Sequence, residues 1–140
     1  MAEYRHRAKY YETDQMGIIH HSNYIRWMEE ARIDMMDQMG FGYRRMEELG
    51  IVSPVLSVKC DYKNMVHFDD VVVIHVKIKA YNGIKLTVGY EMFNETTGQI
   101  CTQAESSHVF LNQEGKLISL KKTCPECDTA FREWKEKQDD

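Results

Sequence analysis

The sequence has no long hydrophobic run. No apolar stretch in it approaches the roughly 18–20 residues that a membrane-spanning helix requires. The N-terminal stretch Met1-Ala2-Glu3-Tyr4-Arg5 also lacks the apolar core of a signal peptide. We therefore expect a protein without a membrane span, and we expect it in the cytoplasm.

The sequence also lacks an excess of positive charge. It has 18 Lys and Arg against 22 Asp and Glu, a formal net charge of −4 and a pI near 5.9. A protein that binds nucleic acid through its phosphates needs a basic surface, so this composition argues against nucleic acid as a partner. With 140 residues, 43% of them hydrophobic, we expect one domain over residues 1–140 with a buried core.

A second Cys-x-x-Cys pair is missing as well. The run 124–127, Cys-Pro-Glu-Cys, has neither a partner pair nor a thioredoxin-like βαβ pattern around it, so it is a weak indication of a metal or redox site. We interpret it as a coincidence at the start of a helix. Cys60 and Cys101 lie in strand-like stretches and are expected to be reduced, packed side chains. The sequence predicts no metal site and no cofactor.

The longest helical pattern begins near residue 24. Apolar residues recur there at intervals of three and four, which is the spacing of one face of an α-helix, and charged residues occupy the opposite face. Ser22 or Asn23 is expected to cap the N-terminus of this helix, and Gly40 is expected at the C′ position that ends it. The apolar positions are Tyr24, Trp27, Met28, Ala31, Met35 and Met39.

Most of the remaining chain has the two-residue period of β-strands. A first strand is predicted over residues 4–11, and four more follow the long helix, with alternation over about 56–63, 71–80, 84–92 and 100–111. A short helix is predicted over 43–49. The dipeptide Asn82-Gly83 predicts a type I′ hairpin turn between the second and third of the later strands.

This order of elements predicts an α+β protein in which an antiparallel sheet of about five strands wraps around one long central helix. The core is expected over about residues 4–120, and residues 123–137 are expected to form a C-terminal helical tail. Open sheet edges and apolar residues on an exposed outer face favour association, so we expect a homodimer or homotetramer. The outer-face residues are Val71, Val73, Val109 and Leu111.

The connection between the first strand and the long helix is rich in polar groups. It contains Asp14, Gly17, His20 and His21, and it leads to a helix N-terminus, which favours anions because its first N–H groups are free. Gly17 would allow a positive φ or a close approach of the backbone to a ligand. From the residues alone, Asp14 could instead serve an Asx turn or a cap, and one histidine could pack while the other is solvated.

The run Asp14-x-x-Gly17-Ile18-x-x-His21-x-Asn23-Tyr24 resembles the hotdog-fold acyl-CoA thioesterases, most of all the 4-hydroxybenzoyl-CoA thioesterase and YbgC-type branch. The resemblance implies a hotdog fold and an enzyme that hydrolyses an acyl-CoA to the free acid and CoA. It implies that Asp14 is the catalytic carboxylate, either as nucleophile or as general base.

The resemblance assigns the second catalytic role to His21, which would polarise the thioester carbonyl or orient water. In YbgC-like relatives an aromatic residue usually precedes this histidine, whereas this chain has His20 there, so His20 stays a competitor. The oxyanion that forms during hydrolysis is expected to bind backbone N–H groups at a helix N-terminus, within a subunit interface.

The resemblance also implies the substrate contacts. Gly17 is expected to approach the substrate, Asn23 to hold the loop or cap the helix, and Tyr24 to line the acyl or pantetheine channel. Tyr62 and Lys63 are expected where the pantetheine arm passes, with Lys63 near a phosphate. Two alternatives stay open, namely hydrolysis of acyl-carrier-protein thioesters and acyl-CoA binding without catalysis.

Overall fold

The computed structural model describes residues 2–138, which form a five-stranded antiparallel sheet and four helices. The strand order in the sheet is β1-β3-β4-β5-β2, so β1 and β2 are the two edges. The helices are α1 (Ser22–Gln38), α2 (Tyr43–Glu48), α3 (Leu120–Thr123) and α4 (Pro125–Gln138). The strands are β1 (Ala2–Arg7), β2 (Val55–Tyr62), β3 (Val71–Tyr81), β4 (Lys85–Asn94) and β5 (Gln99–Val109).

Helix α1 is the central element of the core. Its inner side chains are almost fully buried, because they pack with the apolar face of the sheet in one continuous cluster. Gly40 follows the helix with a φ of +86°, as expected for a C′ residue. The predicted α+β architecture, with one long helix against an antiparallel sheet, is confirmed. The buried side chains on the two sides include Trp27, Met28, Ala31 and Met35 on α1, and Val72, Ile74, Val76, Val88 and Met92 on the sheet.

Three local predictions were wrong. Strand β1 ends at Arg7 rather than at residue 11, and Tyr10–Glu12 form a 3₁₀ turn whose last side chain is buried. The turn at Asn82-Gly83 is not of type I′, because only Gly83 has a positive φ there (+91°), whereas type I′ requires one at both central residues. The N-cap position of α1 is His21, and neither Ser22 nor Asn23 takes it.

The exposed apolar surface is not where alternation alone placed it. Val73 is buried, and Val71, Val109 and Leu111 are partly buried. Val73 lies directly opposite Arg5 and Phe93 on the neighbouring strands, and these longer side chains share its face. The edge strand β2 is instead the exposed apolar element, since Val55, Leu56 and Val58 have exposed fractions of 52%, 55% and 39%.

The C-terminal helix α4 packs on the sheet. Phe131 of α4 is buried between the rings of Tyr81 and Phe110, at centroid distances of 5.1 and 5.9 Å. Cys124 and Cys127 lie just before and within the first turn of α4, and all four cysteines are free thiols. Within residues 2–138 no helix is both long and apolar enough to cross a membrane, and no group of three or more His, Cys, Asp or Glu is arranged to hold a metal ion.

Candidate active site

The polar loop before α1 is a tight hairpin. Thr13 and Ile19 form an antiparallel bridge, and Ile18 bridges His67 of the neighbouring segment. The N–H of Gly17 donates to the carbonyl of Asp14 at 3.1 Å, and the N–H of Asp14 donates to the carbonyl of Ile18 at 2.8 Å. Gly17 closes the hairpin with a φ of +78°, a conformation that a side chain would disfavour. The hairpin therefore presents Asp14 in one defined position at its tip.

The Asp14 carboxylate forms an Asx turn. Its Oδ1 accepts the N–H of Met16 at 2.8 Å, and Asp14 is partly buried. This is the ordinary structural use of an aspartate in a loop. It occupies one carboxylate oxygen, and Oδ2 has no hydrogen bond to any residue within 2–138. The Asx turn thus orients the carboxylate and leaves its second oxygen available to a ligand.

Glu12 holds the base of this hairpin, a role that the sequence analysis missed. Its buried carboxylate accepts hydrogen bonds from the His6 ring (2.9 Å), the Lys9 N–H (2.7 Å) and the Trp27 indole N–H (2.8 Å). Burial alone would raise the pKa of Glu12, but these hydrogen bonds outweigh it and hold the pKa below its ordinary value. A fully buried Trp needs a partner for its N–H, and that was the available signal in the sequence.

Asn23, in the first turn of α1, links the hairpin to this helix through hydrogen bonds. It is 6% exposed, and its side-chain amide donates to the carbonyls of Glu12 at 2.9 Å and His20 at 3.3 Å. Asn23 was expected either to hold the loop or to cap the helix, and these hydrogen bonds correspond to the first of the two. Neither Asn23 nor Gly17 lines the cleft that lies between this hairpin, the start of α1 and the end of β2.

The two histidines have different surroundings. Their rings stack at a centroid distance of 4.2 Å. Nδ1 of His20 contacts Ser22, at 2.9 Å from its hydroxyl and 3.2 Å from its N–H, and so acts as the cap that the helix otherwise lacks. His21 is exposed and lines the cleft, with its ring edge-on to Tyr62 at 6.5 Å.

The N-terminus of α1 differs from the expectation in one respect. The N–H groups of Ser22, Asn23 and Tyr24 already donate within this chain, to the His20 ring nitrogen, the His20 carbonyl and the His21 carbonyl. These three groups are therefore not free to bind an oxyanion. Because side-chain and turn contacts complete the first turn, the helix N-terminus is not an empty anion site.

One cleft of about 340 Å³ brings most of the predicted site residues together. It lies between the Asp14 hairpin, the start of α1 and the end of β2. Apolar side chains make up much of the remaining lining, so the cleft combines a carboxylate and an imidazole with an apolar wall. The predicted residues that line it are Asp14, His21, Tyr24, Tyr62 and Lys63.

Two tyrosines form one wall of this cleft. The rings of Tyr24 and Tyr62 meet edge to face at 5.0 Å, and the Tyr62 hydroxyl donates to the His21 carbonyl at 3.2 Å. Burial raises the pKa of Tyr24 well above its ordinary value, and burial together with Cys60 raises that of Tyr62 to about 12. Both hydroxyls are therefore neutral at physiological pH and can act as donors.

A model of the thioesterase-like superfamily matches residues 9–134 of this sequence. The chain belongs to this superfamily. It is 39% identical over 129 residues to YneP of Bacillus subtilis, which is named provisionally as an acyl-CoA thioesterase, and the match covers 91% of this chain and 93% of that protein.

Solved structures of proteins with similar sequences have the same fold. The Staphylococcus aureus DHNA-CoA thioesterase superposes with a TM-score of 0.91 at 32% identity, over 94% of this chain and 89% of that one. A hypothetical protein from Aquifex aeolicus superposes with a TM-score of 0.82 at 34% identity, over 89% and 97% of the two chains. The family, the hotdog fold and the thioesterase class predicted from the Asp14 motif are therefore confirmed.

Proposed function

We propose that this protein is a cytoplasmic acyl-CoA thioesterase, which hydrolyses an acyl-CoA to the free acid and CoA. The observation that carries the proposal is that Asp14 and His21 line one cleft, in a chain that belongs to the thioesterase-like superfamily. The names of YneP and of the S. aureus enzyme support CoA thioesters as the substrate class.

Asp14 is the group that starts the reaction. A thioester carbonyl is electrophilic and its thiolate leaves readily, so the reaction needs a nucleophile or a base and stabilisation of the oxyanion. In one route the free Oδ2 of Asp14 attacks the carbonyl, the C–S bond breaks with release of the CoA thiolate, and water then hydrolyses the resulting mixed anhydride to the free acid and Asp14. In the other route Oδ2 takes a proton from a water that attacks the carbonyl, and the CoA thiolate leaves. The Met16 N–H holds Oδ1 at 2.8 Å, which fixes the carboxylate for either route.

His21 polarises the thioester carbonyl or orients the water. It is exposed in the cleft, while the neighbouring His20 ring is engaged by Ser22. Because the first N–H groups of α1 are engaged within the protomer, further donors to the oxyanion come from backbone groups of a second subunit in this proposal.

The pantetheine arm passes along the end of β2. Tyr62 supplies a partly exposed aromatic surface there, and Lys63 and Asn64 follow it in the cleft lining. In this proposal the Lys63 ammonium binds a CoA phosphate, since a cation at an open cleft attracts phosphate groups. Met16 and Met65, with exposed fractions of 76% and 65%, give this opening an apolar border.

A homodimer, or a homotetramer built from two dimers, completes the site in this proposal. Strand β2 is an edge whose side chains are mostly exposed, and Val55, Leu56 and Val58 make it apolar. Such an edge pairs readily with another chain. Tyr62 belongs both to β2 and to the cleft, so pairing along this edge brings a second subunit next to Asp14.

A hydrolysis assay over short, long and aromatic acyl-CoAs tests the function, with release of the CoA thiol as the signal. Matched acyl-carrier-protein thioesters in the same assay separate the carrier-protein alternative from CoA. Saturable hydrolysis of at least one acyl-CoA is expected. Tight binding of acyl-CoAs without turnover would instead establish the non-catalytic alternative.

A further inference from the structure

His6 is a residue of strand β1 that contacts the Asp14 hairpin without lining the cleft. Its backbone is held in the sheet, because it lies directly opposite Val72 of β3 in the antiparallel pairing of the two strands. Its side chain is 11% exposed and points toward α1, where its ring contacts Trp27. The sheet therefore provides this imidazole with a fixed position next to the hairpin.

Three contacts fix the orientation of the His6 ring. Its Nε2 lies 2.9 Å from the Glu12 carboxylate, its Nδ1 lies 3.7 Å from Oε2 of Glu30, and its centroid lies 4.7 Å from that of Trp27. The Tyr4 hydroxyl donates to the same oxygen of Glu30 at 3.1 Å. A charged carboxylate only accepts hydrogen bonds, so Nε2 carries the proton that His6 donates to Glu12.

The main chain of Glu12 is connected to both proposed catalytic residues. Its carbonyl accepts the N–H of His20 at 2.8 Å and the side-chain amide of Asn23 at 2.9 Å. His20 directly precedes His21 in the sequence, and Glu12 precedes Asp14 by two residues. A displacement of Glu12 therefore moves the segments that position Asp14 and His21.

The carboxylate of Glu12 is held from two different layers of the fold. Oε1 contacts His6 of the sheet, and Oε2 accepts the indole N–H of Trp27 in α1. Hydrogen bonds to a charged acceptor are stronger than those between neutral groups, and a buried acceptor that loses a donor is costly. The position of Glu12 thus depends on a donor from the sheet as well as on one from the helix.

We propose that His6 is a positioning residue for thioester hydrolysis, because its bond to Glu12 holds Asp14 and His21 in their position relative to each other. The inference rests on the proposed function and adds a residue that lies outside the cleft. Catalytic groups work only when supporting hydrogen bonds hold them within about 0.5 Å of the productive geometry. His6 supplies one of these bonds and ties the hairpin to the sheet.

Three substitutions of His6 test the proposal. We expect His6→Leu to lower kcat by about 10-fold or more, since a displacement of about 1 Å at the reacting groups costs up to about 10²-fold. The KM should change little, because the walls formed by Tyr24 and Tyr62 are retained.

The amide variants separate the hydrogen bond from the bulk of the ring. The amide nitrogen of Gln is as many bonds from the backbone as Nε2, so His6→Gln should restore most of the kcat. The amide of Asn is one bond shorter, so His6→Asn should resemble His6→Leu. A Gln variant no more active than the Asn variant would overturn the inference. This comparison also decides the question if His6→Leu does not fold.

The control is a buried hydrogen bond outside the site. Tyr81→Phe removes the hydroxyl that donates to the Asp128 carboxylate at 2.6 Å, and neither residue lines the cleft. Both Tyr81→Phe and His6→Leu should lower the melting temperature, because each removes a hydrogen bond to a carboxylate. Only His6→Leu should lower kcat when both are assayed well below their melting temperatures. Equal kcat losses would reduce His6 to a structural role and overturn the inference.

Hydrogen exchange gives a second signal that does not depend on activity. In His6→Leu the amide of His20, which donates to Glu12, should exchange faster than in the wild type. The amide of Leu111, which donates to the carbonyl of Val52 at 2.7 Å, should keep its rate. Unchanged exchange at His20 would overturn the inference. If the wild type hydrolyses no acyl-CoA, the proposed function fails; if it is active and the His6 variants keep its kcat, only this inference fails.

Discussion

The indole N–H of Trp27, at the centre of the core, donates to the carboxylate of Glu12 at 2.8 Å, at the base of the Asp14 hairpin. Trp27 is fully buried in the main helix, and Glu12 is 5% exposed. This hydrogen bond joins the buried core to the loop that carries Asp14, the proposed catalytic carboxylate. The position of Asp14 is therefore set partly by a residue that has no role in the chemistry.

The substitution Glu12→Gln should lower the free energy of unfolding by about 2 kcal/mol at pH 7, because hydrogen bonds to a charged, buried acceptor are lost. The folded pKa of Glu12 is held below its unfolded value, so its contribution is present above the unfolded pKa and is lost as the pH falls through the folded pKa. Urea unfolding from pH 7 to pH 3 should show the difference between wild type and variant shrinking with acid. A constant difference would contradict this role.

The substitution Asp14→Asn should reduce kcat by about 10²–10⁴-fold, the range for loss of a catalytic acid or base. The fold should persist, because an amide oxygen still accepts the N–H of Met16. Initial rates and a melting curve for the same preparation check both statements. Asp61→Asn, an exposed carboxylate on β2, is the control and should keep its activity. A near-normal kcat in Asp14→Asn would remove Asp14 from the mechanism.

Alanine substitutions of His21 and His20 should have different effects when the two variants are compared side by side. His21→Ala should lower kcat about 10²-fold, since it removes a group that polarises the reacting carbonyl. His20→Ala should mainly lower stability, by about 1 kcal/mol, because the cap on the Ser22 N–H is lost. The measurements are kcat and the free energy of unfolding for each variant. The opposite order of the kcat values would assign the catalytic role to His20.

Gly115, which lies outside the hairpin, is a matched control for the backbone conformation of Gly17 within it. Both have a φ of +78°, and a Cβ added at either would meet no atom within 4 Å. Alanine should therefore cost each about 1–2 kcal/mol of stability through the backbone alone. We expect Gly17→Ala to lower kcat as well, because it disturbs the turn that holds Asp14, and Gly115→Ala to leave kcat unchanged. Equal kcat losses would show that the hairpin geometry is not specific to catalysis.

The assembly should depend on the edge of β2. Light scattering at micromolar concentration should find at least a dimer, and Leu56→Lys should shift it toward the monomer with loss of activity, because charges on an edge oppose pairing. Leu117 lies outside β2 and is about as exposed as Leu56 (59% against 55%), so Leu117→Lys serves as the control. A monomeric wild type with full activity would defeat both the assembly and the shared site.

The sequence by itself determined the elements whose signals are local. The apolar stripe from Tyr24 to Met35 and the two-residue period of the strands follow from side-chain spacing, so α1 and the five strands were predictable, as was the C′ role of Gly40. The Asp14 motif identified the family for a similar reason, because its residues lie within one short segment.

Only the tertiary structure decided the features that join distant segments. Nothing in the sequence distinguishes Glu12 from other loop carboxylates, whereas in the structure its side chain binds His6 and Trp27. The 3₁₀ turn Tyr10–Glu12 that buries it follows the early end of β1. Arg32 lies within the polar pattern of its helix, yet it is buried beside His108, 76 residues away in the sequence. Burial and partners of such groups depend on which strands lie next to α1, and periodicity within a single segment contains no information about that order.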